Sequence, residues 1–321
     1  MKNESLPQSW YPVGVSSELK KGAHSPLRLF ENDWLMFRGN DGQVGIVSRF
    51  CPHMGTDLAN GRVRDNSIMC PLHEWRYNAD GDCTKMPKSD LKLSDIKINK
   101  LVVEEKYGII FAFYGETALF EVPSLTDISD PVYSEVRTAS FENSFLAVSI
   151  NGFDTWHFYN VHNRKVSNDY RIFSNSPFHI GISLTLEVIL RKWYDYVIKF
   201  FGLSKSDIQL DYYGGNLIMV RSRKTGHCAF LALQPGDLEN TCNLYFVVGI
   251  QRSAKNIFTK FLERLKVRFL RFMSFMFLGP DIPVQKNMRP KKGFLSPEKD
   301  RAVIKFWDYW EKLPRFPQTK D

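Results

Sequence analysis

The chain has 321 residues, 43% of them apolar, which is enough for two hydrophobic cores of moderate size, so two domains are expected. Its net charge is +8, and no long charge run or low-complexity segment indicates a disordered protein. The N-terminus lacks the apolar segment of a secretory signal, and the longest apolar run, at 269–278, is shorter than the roughly 20 residues of a membrane-spanning helix. We therefore expect a cytoplasmic protein.

The first third of the chain predicts a series of short strands. The turn signals are Asn32-Asp33, Asn40-Asp41-Gly42 and Tyr107-Gly108. Strands are expected around them at 27–30, 34–38, 44–47, 101–104 and 109–113. Many short strands at regular spacing favour a small antiparallel sandwich or barrel. This all-β domain is assigned to residues 1–118, and the boundary with a second domain is expected within 115–123.

Two cysteines and two histidines inside this domain form a pattern that is typical of a metal site. They occur as C-x-H at Cys51 and His53, and as C-x-x-H at Cys70 and His73. Each pair is close enough in sequence to bind one metal centre from one short loop. The sequence therefore predicts a four-ligand site that two loops build together.

The order of these ligands distinguishes two kinds of centre. A structural zinc site also uses two cysteines and two histidines, but it usually pairs cysteine with cysteine and histidine with histidine. Here each loop carries one of each, which suits a Rieske [2Fe-2S] cluster, where two thiolates bind one iron and two imidazoles bind the other. Zinc and a chance arrangement stay open as alternatives. The three other cysteines, Cys83, Cys228 and Cys242, are an odd number, which suits reduced thiols better than a disulfide framework.

Residues 119–321 predict a mixture of strands and helices. Strands are expected at 141–149, 210–221 with a turn at Gly214-Gly215, 227–233 and 242–251. Helices are expected at 151–163, at 254–278 and from Ser296-Pro297 to residue 310, because serine is a favoured N-cap and proline is tolerated at the first helical position. The predicted fold class is α+β, with an N-terminal all-β domain followed by a domain of antiparallel sheet and helices.

His157 and His162 are the second candidate site. They lie five residues apart, about 140° around an ideal helix at ~100° per residue, so an undistorted helix cannot direct both at one ion. A π-type bulge would bring them together. Two imidazoles and one carboxylate make an iron(II) site that keeps open positions for oxygen. Taken alone, the pattern D-x-x-H-x-x-x-x-H that Asp154 begins is explained equally well by two core or surface histidines, and Asp154 itself by a helix cap.

Both motifs resemble those of the Rieske non-haem iron oxygenases. Cys51-Pro52-His53 followed by Gly55, and Cys70-Pro71-x-His73 followed by Trp75 and Tyr77, are similar to the Rieske domain of that family. The pattern from Asp154 to His162 is similar to the iron site of its catalytic domain. One departure is Glu74, which stands where the family usually has glycine.

The resemblance implies a terminal oxygenase component with a Rieske domain at 1–118 and a catalytic domain for mononuclear iron at 119–321. It places the third iron ligand at Asp281, although Pro280 stands where the family often has glutamate. The rival carboxylates are Asp195, Asp211 and Asp237, each expected on the surface or in a turn. In a homotrimer, Asp154 would be the electron bridge between His73 of one chain and His157 of the next.

The end of the chain, from Asp281 to Trp310, most resembles the branch of 3-ketosteroid hydroxylases and aryl-ether demethylases. This implies that O2 and externally supplied electrons hydroxylate or demethylate a hydrophobic substrate that is ring-containing or lipid-like, with dioxygenation still open. Because no G-x-G-x-x-G motif is present, NAD(P)H is expected to act through a separate reductase or ferredoxin. The alternatives are an electron-transfer or sensor protein without mononuclear iron, and a zinc-stabilised binding protein.

The predicted helix at 254–278 concentrates basic residues, namely Lys255, Lys260, Arg264, Lys266, Arg268 and Arg271. A solvated helix face explains them as well as all functional interpretations together. Among the functional ones, docking of an acidic electron carrier is favoured, because charge steers fast encounters. Interleaved phenylalanines keep contact with a membrane surface open. Nucleic acid is not expected as a partner, because no binding motif accompanies the charge.

Overall fold

The computed structural model describes residues 6–87, 91–124, 130–167, 169–191, 196, 199, 204–222, 226–236, 240–253 and 256–315. The chain divides into two compact units. The first unit is Trp10–Val122, and the second is Pro123–Asp321 together with the residues before Trp10. Each unit has its own sheets.

These units differ at both ends from the expected division into 1–118 and 119–321. Residues 6–9 belong to the second unit, where the Gln8 N–H donates to the Pro314 carbonyl at 2.8 Å and Ser9 Oγ donates to Asn216 Oδ1 at 2.6 Å. Residues 119–122 belong to the first unit, where the Val122 N–H donates to Glu104 Oε2 at 3.0 Å. At both ends, hydrogen bonds to residues far apart in sequence assign these short segments to their units.

The first unit contains strands β1 to β10 among its described residues. They are β1 Trp10–Val15, β2 His24–Leu29, β3 Asn32–Arg38, β4 Val44–Ser48, β5 Arg62–Arg64, β6 Ser67–Met69, β7 Arg76–Asn78, β8 Cys83–Lys85, β9 Val103–Lys106 and β10 Ile109–Phe113. Within the described part they form three antiparallel sheets, ordered β1-β10-β9, β2-β3-β4 and β5-β6-β7-β8. Short 3-10 helices lie at Leu58–Asn60 and Leu93–Asp95.

The turn between β2 and β3 differs from the expected one. Asn32 and Asp33 are the first residues of β3, and the loop consists of Phe30 and Glu31, with φ of 54° and 67°. Residues other than glycine rarely adopt such left-handed backbone angles. The Phe30 ring stacks on Tyr114 at 4.0 Å, which fixes this loop through a contact distant in sequence. The turn at Tyr107-Gly108 has φ of 58° and 77° and lies where it was predicted.

Strands β11 to β19 belong to the second unit. They are β11 Pro131–Tyr133, β12 Arg137–Phe141, β13 Arg164–Val166, β14 Arg171–Phe173, β15 His179–Val188, β16 Lys205–Tyr213, β17 Leu217–Ser222, β18 His227–Pro235 and β19 Cys242–Gln251. Among the described residues they form one antiparallel sheet of nine strands, ordered β11-β19-β18-β17-β16-β15-β13, with β12 on β19 and β14 on β15. The predicted α+β fold class is confirmed.

The helices of the second unit are α1 Phe145–Asn151, α2 Thr155–Asn160, α3 Ile257–Leu278, α4 Asp281–Gln285 and α5 Arg301–Lys312, counted over the described residues. The predicted strand at 141–149 is wrong, because a short run of buried apolar residues has no period that separates a strand from a buried helix. The last helix begins at Arg301 rather than Pro297, since Ser296 Oγ caps a preceding turn by accepting from the Lys299 N–H. No helix in the described ranges has the length and apolar composition needed to cross a bilayer.

A buried ionic network ties β15, β16 and β17 together. Asp211 on β16 accepts from Arg221 of β17 at 2.6 Å and lies 3.0 Å from His179 Nε2 of β15. Asp211 is only 2% exposed, so its expected place on the surface was wrong. A carboxylate is buried at this point because the Arg221 guanidinium of one neighbouring strand and the His179 imidazole of the other both reach it.

We predict that Asp211→Asn destabilises the second unit by about 3 kcal/mol, because the charge of the buried carboxylate that accepts from the Arg221 guanidinium is removed. Asp207→Asn is the matched control, since Asp207 is exposed on the same strand, and its effect should stay within about 0.5 kcal/mol. Urea unfolding followed by circular dichroism measures both. Equal unfolding midpoints for the two variants would contradict the network's role.

Candidate metal centres

Two loops of the first unit share one backbone pattern. In the loop that begins at Cys51, the Cys51 N–H donates to the Thr56 carbonyl at 2.9 Å and the Gly55 N–H donates to the Cys51 carbonyl at 2.8 Å. In the loop that begins at Cys70, the Cys70 N–H donates to the Trp75 carbonyl at 2.8 Å and the Glu74 N–H to the Cys70 carbonyl at 3.1 Å. Each six-residue loop is therefore closed by the same two hydrogen bonds, and each presents one cysteine and one histidine.

Gly55 and Glu74 occupy equivalent positions in these loops, and both have left-handed backbone angles. Gly55 has φ of 73° and Glu74 has φ of 59°. Glycine adopts this conformation without penalty, whereas a residue with a Cβ is strained there. The conformation explains why glycine is usual at this position in the family, and it shows that Glu74 keeps the loop geometry at some cost in stability.

The four expected cluster ligands divide by exposure. Cys51 and Cys70 are buried, each at 2% exposure, among the core residues of the first unit, whereas His53 and His73 are exposed. The two imidazole rings lie 4.8 Å apart between centroids, and His53 stacks on Trp75 at 4.3 Å. A cluster in this position would have its thiolate side in the core and its imidazole side at the protein surface.

Tyr77 lies beneath the first cysteine. Its hydroxyl is 3.4 Å from Cys51 Sγ, and burial raises the pKa of Tyr77 above its ordinary value. The phenol therefore stays protonated and can donate its hydrogen to a thiolate at Cys51. Hydrogen bonds to the sulfur ligands are one of the factors that set the reduction potential of an iron-sulfur cluster.

In the second unit, helix α2 positions the first of the two histidines. Asp154 is its N-cap, and Asp154 Oδ1 accepts from the N–H groups of Trp156 at 3.0 Å and His157 at 3.3 Å. His157 Nδ1 contacts the Asp154 carbonyl oxygen, so the Nδ1 hydrogen is donated there and Nε2 keeps its lone pair. The Asp154 carboxylate is thus a helix cap here, and its expected role as an electron bridge stays a prediction.

Asp281 meets both imidazoles. Its Oδ1 atom lies 3.0 Å from His162 Nε2 and 3.9 Å from His157 Nε2, and one potential ligand atom from each residue falls within 4.8 Å of the others. All three side chains are nearly enclosed, with 12% exposure for Asp281, 9% for His157 and 2% for His162. The structure thus brings together the three residues that the resemblance implies as iron ligands.

The donor set fits a divalent metal ion. The buried His162 Nε2 has no hydrogen-bond partner among the described residues, so its short distance to Asp281 is a close approach without hydrogen-bond geometry. Burial lowers the pKa of His157, although the Asp281 charge opposes this, and a neutral imidazole is the form that binds metal. Two imidazoles and one carboxylate match the 2-His-1-carboxylate set of non-haem iron.

The π-type bulge expected between His157 and His162 is not formed, because α2 ends at Asn160. The chain turns at Val161 and His162, and Asn163 has φ of 54°. This turn frees His162 from helical geometry, so its imidazole reaches the side where His157 points. Because α2 ends before His162, the separation of about 140° that an ideal helix would impose on His157 and His162 does not apply.

Asp281 is the first residue of α4, directly after Gly279 and Pro280 end the long helix α3. Pro280, which stands where the family often has glutamate, is the N-cap of α4. Among the rival carboxylates, Asp211 is bound in its own ionic network. Asp195 and Asp237 lie outside the described residues.

Two neighbours of the histidines were not anticipated. The Phe277 ring stacks on His162 at 4.1 Å with an interplanar angle of 12°, and Asn151 Nδ2 lies 3.4 Å from His157 Nε2. Asn151 lies only a few residues before the histidine motif, so the sequence could have indicated it as a neighbour of His157. Phe277 is distant in sequence, and only the fold brings it to the site.

Comparison with known proteins supports the cluster domain and the fold. Residues 9–98 match the Rieske [2Fe-2S] domain family. The chain is 39% identical over 124 residues to chlorophyllide a oxygenase of Oryza sativa subsp. japonica, covering 38% of this chain and 23% of that protein. It is 25% identical to aminopyrrolnitrin oxygenase PrnD of Pseudomonas fluorescens, covering 94% of this chain and 89% of that protein. The match to the chlorophyllide a oxygenases thus covers only about a fifth of their length.

A solved structure shows the same fold over nearly the full length. The crystal structure of dicamba monooxygenase bound to dicamba aligns with a TM-score of 0.67 at 16% identity, covering 96% of this chain and 97% of that one. The chain thus combines a Rieske [2Fe-2S] domain with a second unit in which three side chains converge and could hold a metal ion. These matches agree with the resemblance of the chain to the Rieske non-haem iron oxygenases. The chain is also 31% identical over 126 residues to the 5,5'-dehydrodivanillate O-demethylase oxygenase subunit of Sphingobium sp. (strain NBRC 103272 / SYK-6), covering 37% of this chain and 30% of that protein. It is 27% identical over 169 residues to the probable 3-ketosteroid-9-alpha-monooxygenase, oxygenase component, of Rhodococcus rhodochrous, covering 50% of this chain and 42% of that protein.

We predict that Glu74→Gly stabilises the cluster loops by about 1 kcal/mol, because glycine relieves the left-handed strain. The matched variant is Gly55→Ala, which should destabilise them by about 1 kcal/mol. A Cβ at Gly55 meets no atom within 4 Å, so this change reports backbone strain alone. Loss of the visible absorption of the cluster during urea titration measures both. Destabilisation by Glu74→Gly would instead show that the carboxylate makes a contact that outweighs the strain.

Proposed function

We propose that this chain is the terminal oxygenase of a multicomponent system that uses O2 and externally supplied electrons to hydroxylate or oxidatively demethylate a hydrophobic substrate. One observation carries the proposal: the buried convergence of His157, His162 and Asp281 in a chain that also has a Rieske domain. A Rieske protein that only transfers electrons has no need of such a donor set.

The residues have separate tasks in this proposal. Cys51, His53, Cys70 and His73 would hold the [2Fe-2S] cluster, and His157, His162 and Asp281 would hold a mononuclear Fe(II). When bound, the cluster supplies single electrons and the iron activates O2. The carbonyl of Asp154 fixes the tautomer of His157, and the Phe277 ring restricts rotation of His162.

Electrons would come from NAD(P)H through a separate reductase or ferredoxin. The exposure of His53 and His73 supports this, because a carrier protein can approach the imidazole side of the cluster. All five cysteines are buried and form no disulfide within the described residues, which supports a reducing cytoplasm as the place of the reaction.

We propose a homotrimer in which Asp154 connects His157 with His73 of the partner subunit. The support is the exposed position of His73, together with the location of Asp154 at the start of α2, one helical turn before His157. The carboxylate already orders the backbone of the histidine-bearing helix, so a bond to an imidazole of the partner subunit would link the two centres through one residue.

The substrate that fits best is a hydrophobic, ring-containing or lipid-like molecule, with monooxygenation favoured. Aromatic side chains surround the histidines, since Phe277 stacks on His162 and the Phe158 ring lies 4.1 Å from that of His157. The names of the relatives refer to aminopyrrolnitrin, a dehydrodivanillate and a ketosteroid, which support the same class.

The proposal predicts that Asp281→Ala keeps the visible spectrum of the cluster but loses oxygen incorporation by more than the ~100-fold typical of losing an outer-shell partner. Val284→Ala is the control, because Val284 lies on the same helix α4 and is 65% exposed. The assay is mass spectrometry of products formed under 18O2 from ring compounds, with a surrogate reductase. A wild-type protein that accepts electrons but incorporates no oxygen into any of these compounds would favour the electron-transfer alternative.

For Asp154, the informative change is Asp154→Asn, because asparagine caps a helix as well as aspartate does but carries no charge. We expect unchanged iron content and a fall in coupled turnover of roughly 10- to 100-fold. Asp154→Ala additionally removes the cap, which costs about 1 kcal/mol. Stopped-flow oxidation of the reduced cluster under O2 measures the step. Wild-type rates in Asp154→Asn would exclude the bridge.

A further inference from the structure

Helix α3 has an outward face made of apolar side chains. Exposure of these residues ranges from 45% to 88%. They are Ile257, Phe258, Phe261, Leu262, Leu265, Phe269, Phe272, Met273 and Met276, and we call them the apolar stripe. At ~100° per residue they fall within an arc of roughly 160°. Soluble proteins rarely expose a contiguous apolar patch of this kind unless something binds there.

The opposite face of α3 is anchored in the second unit, so the stripe cannot turn inward. Val267 and Glu263 are buried, and Glu263 Oε1 accepts from the Ser253 N–H at 2.6 Å. On the inner side Phe277 stacks on His162, and at the edge of the stripe Phe275 lies beneath the guanidinium of Arg137 at 3.7 Å. The orientation of the helix is therefore determined by these contacts, and the stripe is its stable outer surface.

Basic residues of α3 border the stripe, and one exposed carboxylate, that of Glu135, pairs with Arg268 and Arg271. Lys260, Arg264 and Arg268 lie along one edge and Lys266 along the other, and all four are exposed. Arg268 contacts Glu135 at 2.5 Å. The only acidic residue of α3 is Glu263, which is buried on the inner face. The outer surface of the helix is thus apolar in the middle and basic at its edges.

We propose that the apolar stripe inserts into the interface of an anionic lipid bilayer, with α3 lying in the plane of the membrane. This combination of a basic border and large apolar side chains matches helices that bind bilayer surfaces without crossing them. At 1.5 Å per residue, the 22 residues of α3 make a contact of roughly 33 Å. Each basic residue at the edge then faces anionic headgroups.

Two other occupants fit these features less well. A second copy of the chain packed on the stripe would bring the basic edges of two helices together, which repels. An acidic electron carrier suits the charges, but a carrier must leave quickly, and nine large apolar side chains would slow its release. An anionic bilayer satisfies the apolar and the basic parts of the surface at once.

The bound membrane would also supply the substrate, and this part of the inference rests on the proposed function. The last turn of α3 carries Phe277, which stacks on His162, and Asp281 follows shortly after the helix ends. A hydrophobic substrate dissolved in the bilayer would meet the protein at the helix that also builds the metal site.

The test is co-sedimentation with vesicles of phosphatidylcholine alone and of phosphatidylcholine with phosphatidylglycerol. The apolar variant is Phe261→Ser with Phe269→Ser, and the charge variant is Lys260→Ser with Arg264→Ser. The controls change residues elsewhere that are also exposed, namely Leu93→Ser with Leu119→Ser and Lys305→Ser with Lys312→Ser. Circular dichroism and iron content confirm that each variant is folded and loaded.

We expect the wild type to bind the anionic vesicles more strongly than the neutral ones. The apolar variant should bind both at least ~10-fold more weakly, the charge variant should lose only the preference for anionic lipid, and both controls should bind as the wild type does. Failure of the wild type to bind anionic vesicles, or equal binding by the apolar variant, would overturn the proposal. So would a self-association in ultracentrifugation that the apolar variant abolishes, which would assign the stripe to a second copy. Vesicle binding requires no turnover, so this outcome is independent of whether the proposed reaction is correct.

Discussion

The meeting of two buried imidazoles with one buried carboxylate is the constraint on which the second unit depends. His162 Nε2 and Asp281 Oδ1 are held 3.0 Å apart although no hydrogen bond joins them. Unpaired polar atoms in a protein interior are costly, and proteins keep them where a ligand satisfies them. The early end of α2 positions His162 beside His157, and the break between α3 and α4 positions Asp281 beside both.

The first unit positions its candidate metal ligands on two loops of the same geometry. Two loops closed by the same backbone hydrogen bonds each deliver a buried thiol and an exposed imidazole. The burial of sulfur protects one side of a cluster from water, while the exposed histidines leave the other side open to a partner. Glu74 keeps the required left-handed turn despite its Cβ, so loop geometry rather than residue type is what this part of the chain maintains.

Local signals in the sequence predicted much of the fold, whereas tertiary contacts decided the rest. Strand alternation and turn residues located five of the ten described strands of the first unit, and the spacing of Cys51, His53, Cys70 and His73 indicated the cluster. Asp281 came from resemblance alone, because the chain has 35 acidic residues and no spacing rule selects one. Asp211 was expected at the surface because its partners His179 and Arg221 become neighbours only through strand register. The apolar stripe was visible as phenylalanines among basic residues, but only the contacts of α3 show which face is covered.

The central claim is that the chain holds a cluster and a separate iron, and metal analysis tests it most directly. After anaerobic loading with ferrous iron, the account predicts two acid-labile sulfides and three irons per chain, because a [2Fe-2S] cluster contributes two of the irons. It further predicts that His162→Ala loses one iron and no sulfide. Iron equal to sulfide in the wild type, or zinc without sulfide, would contradict the account.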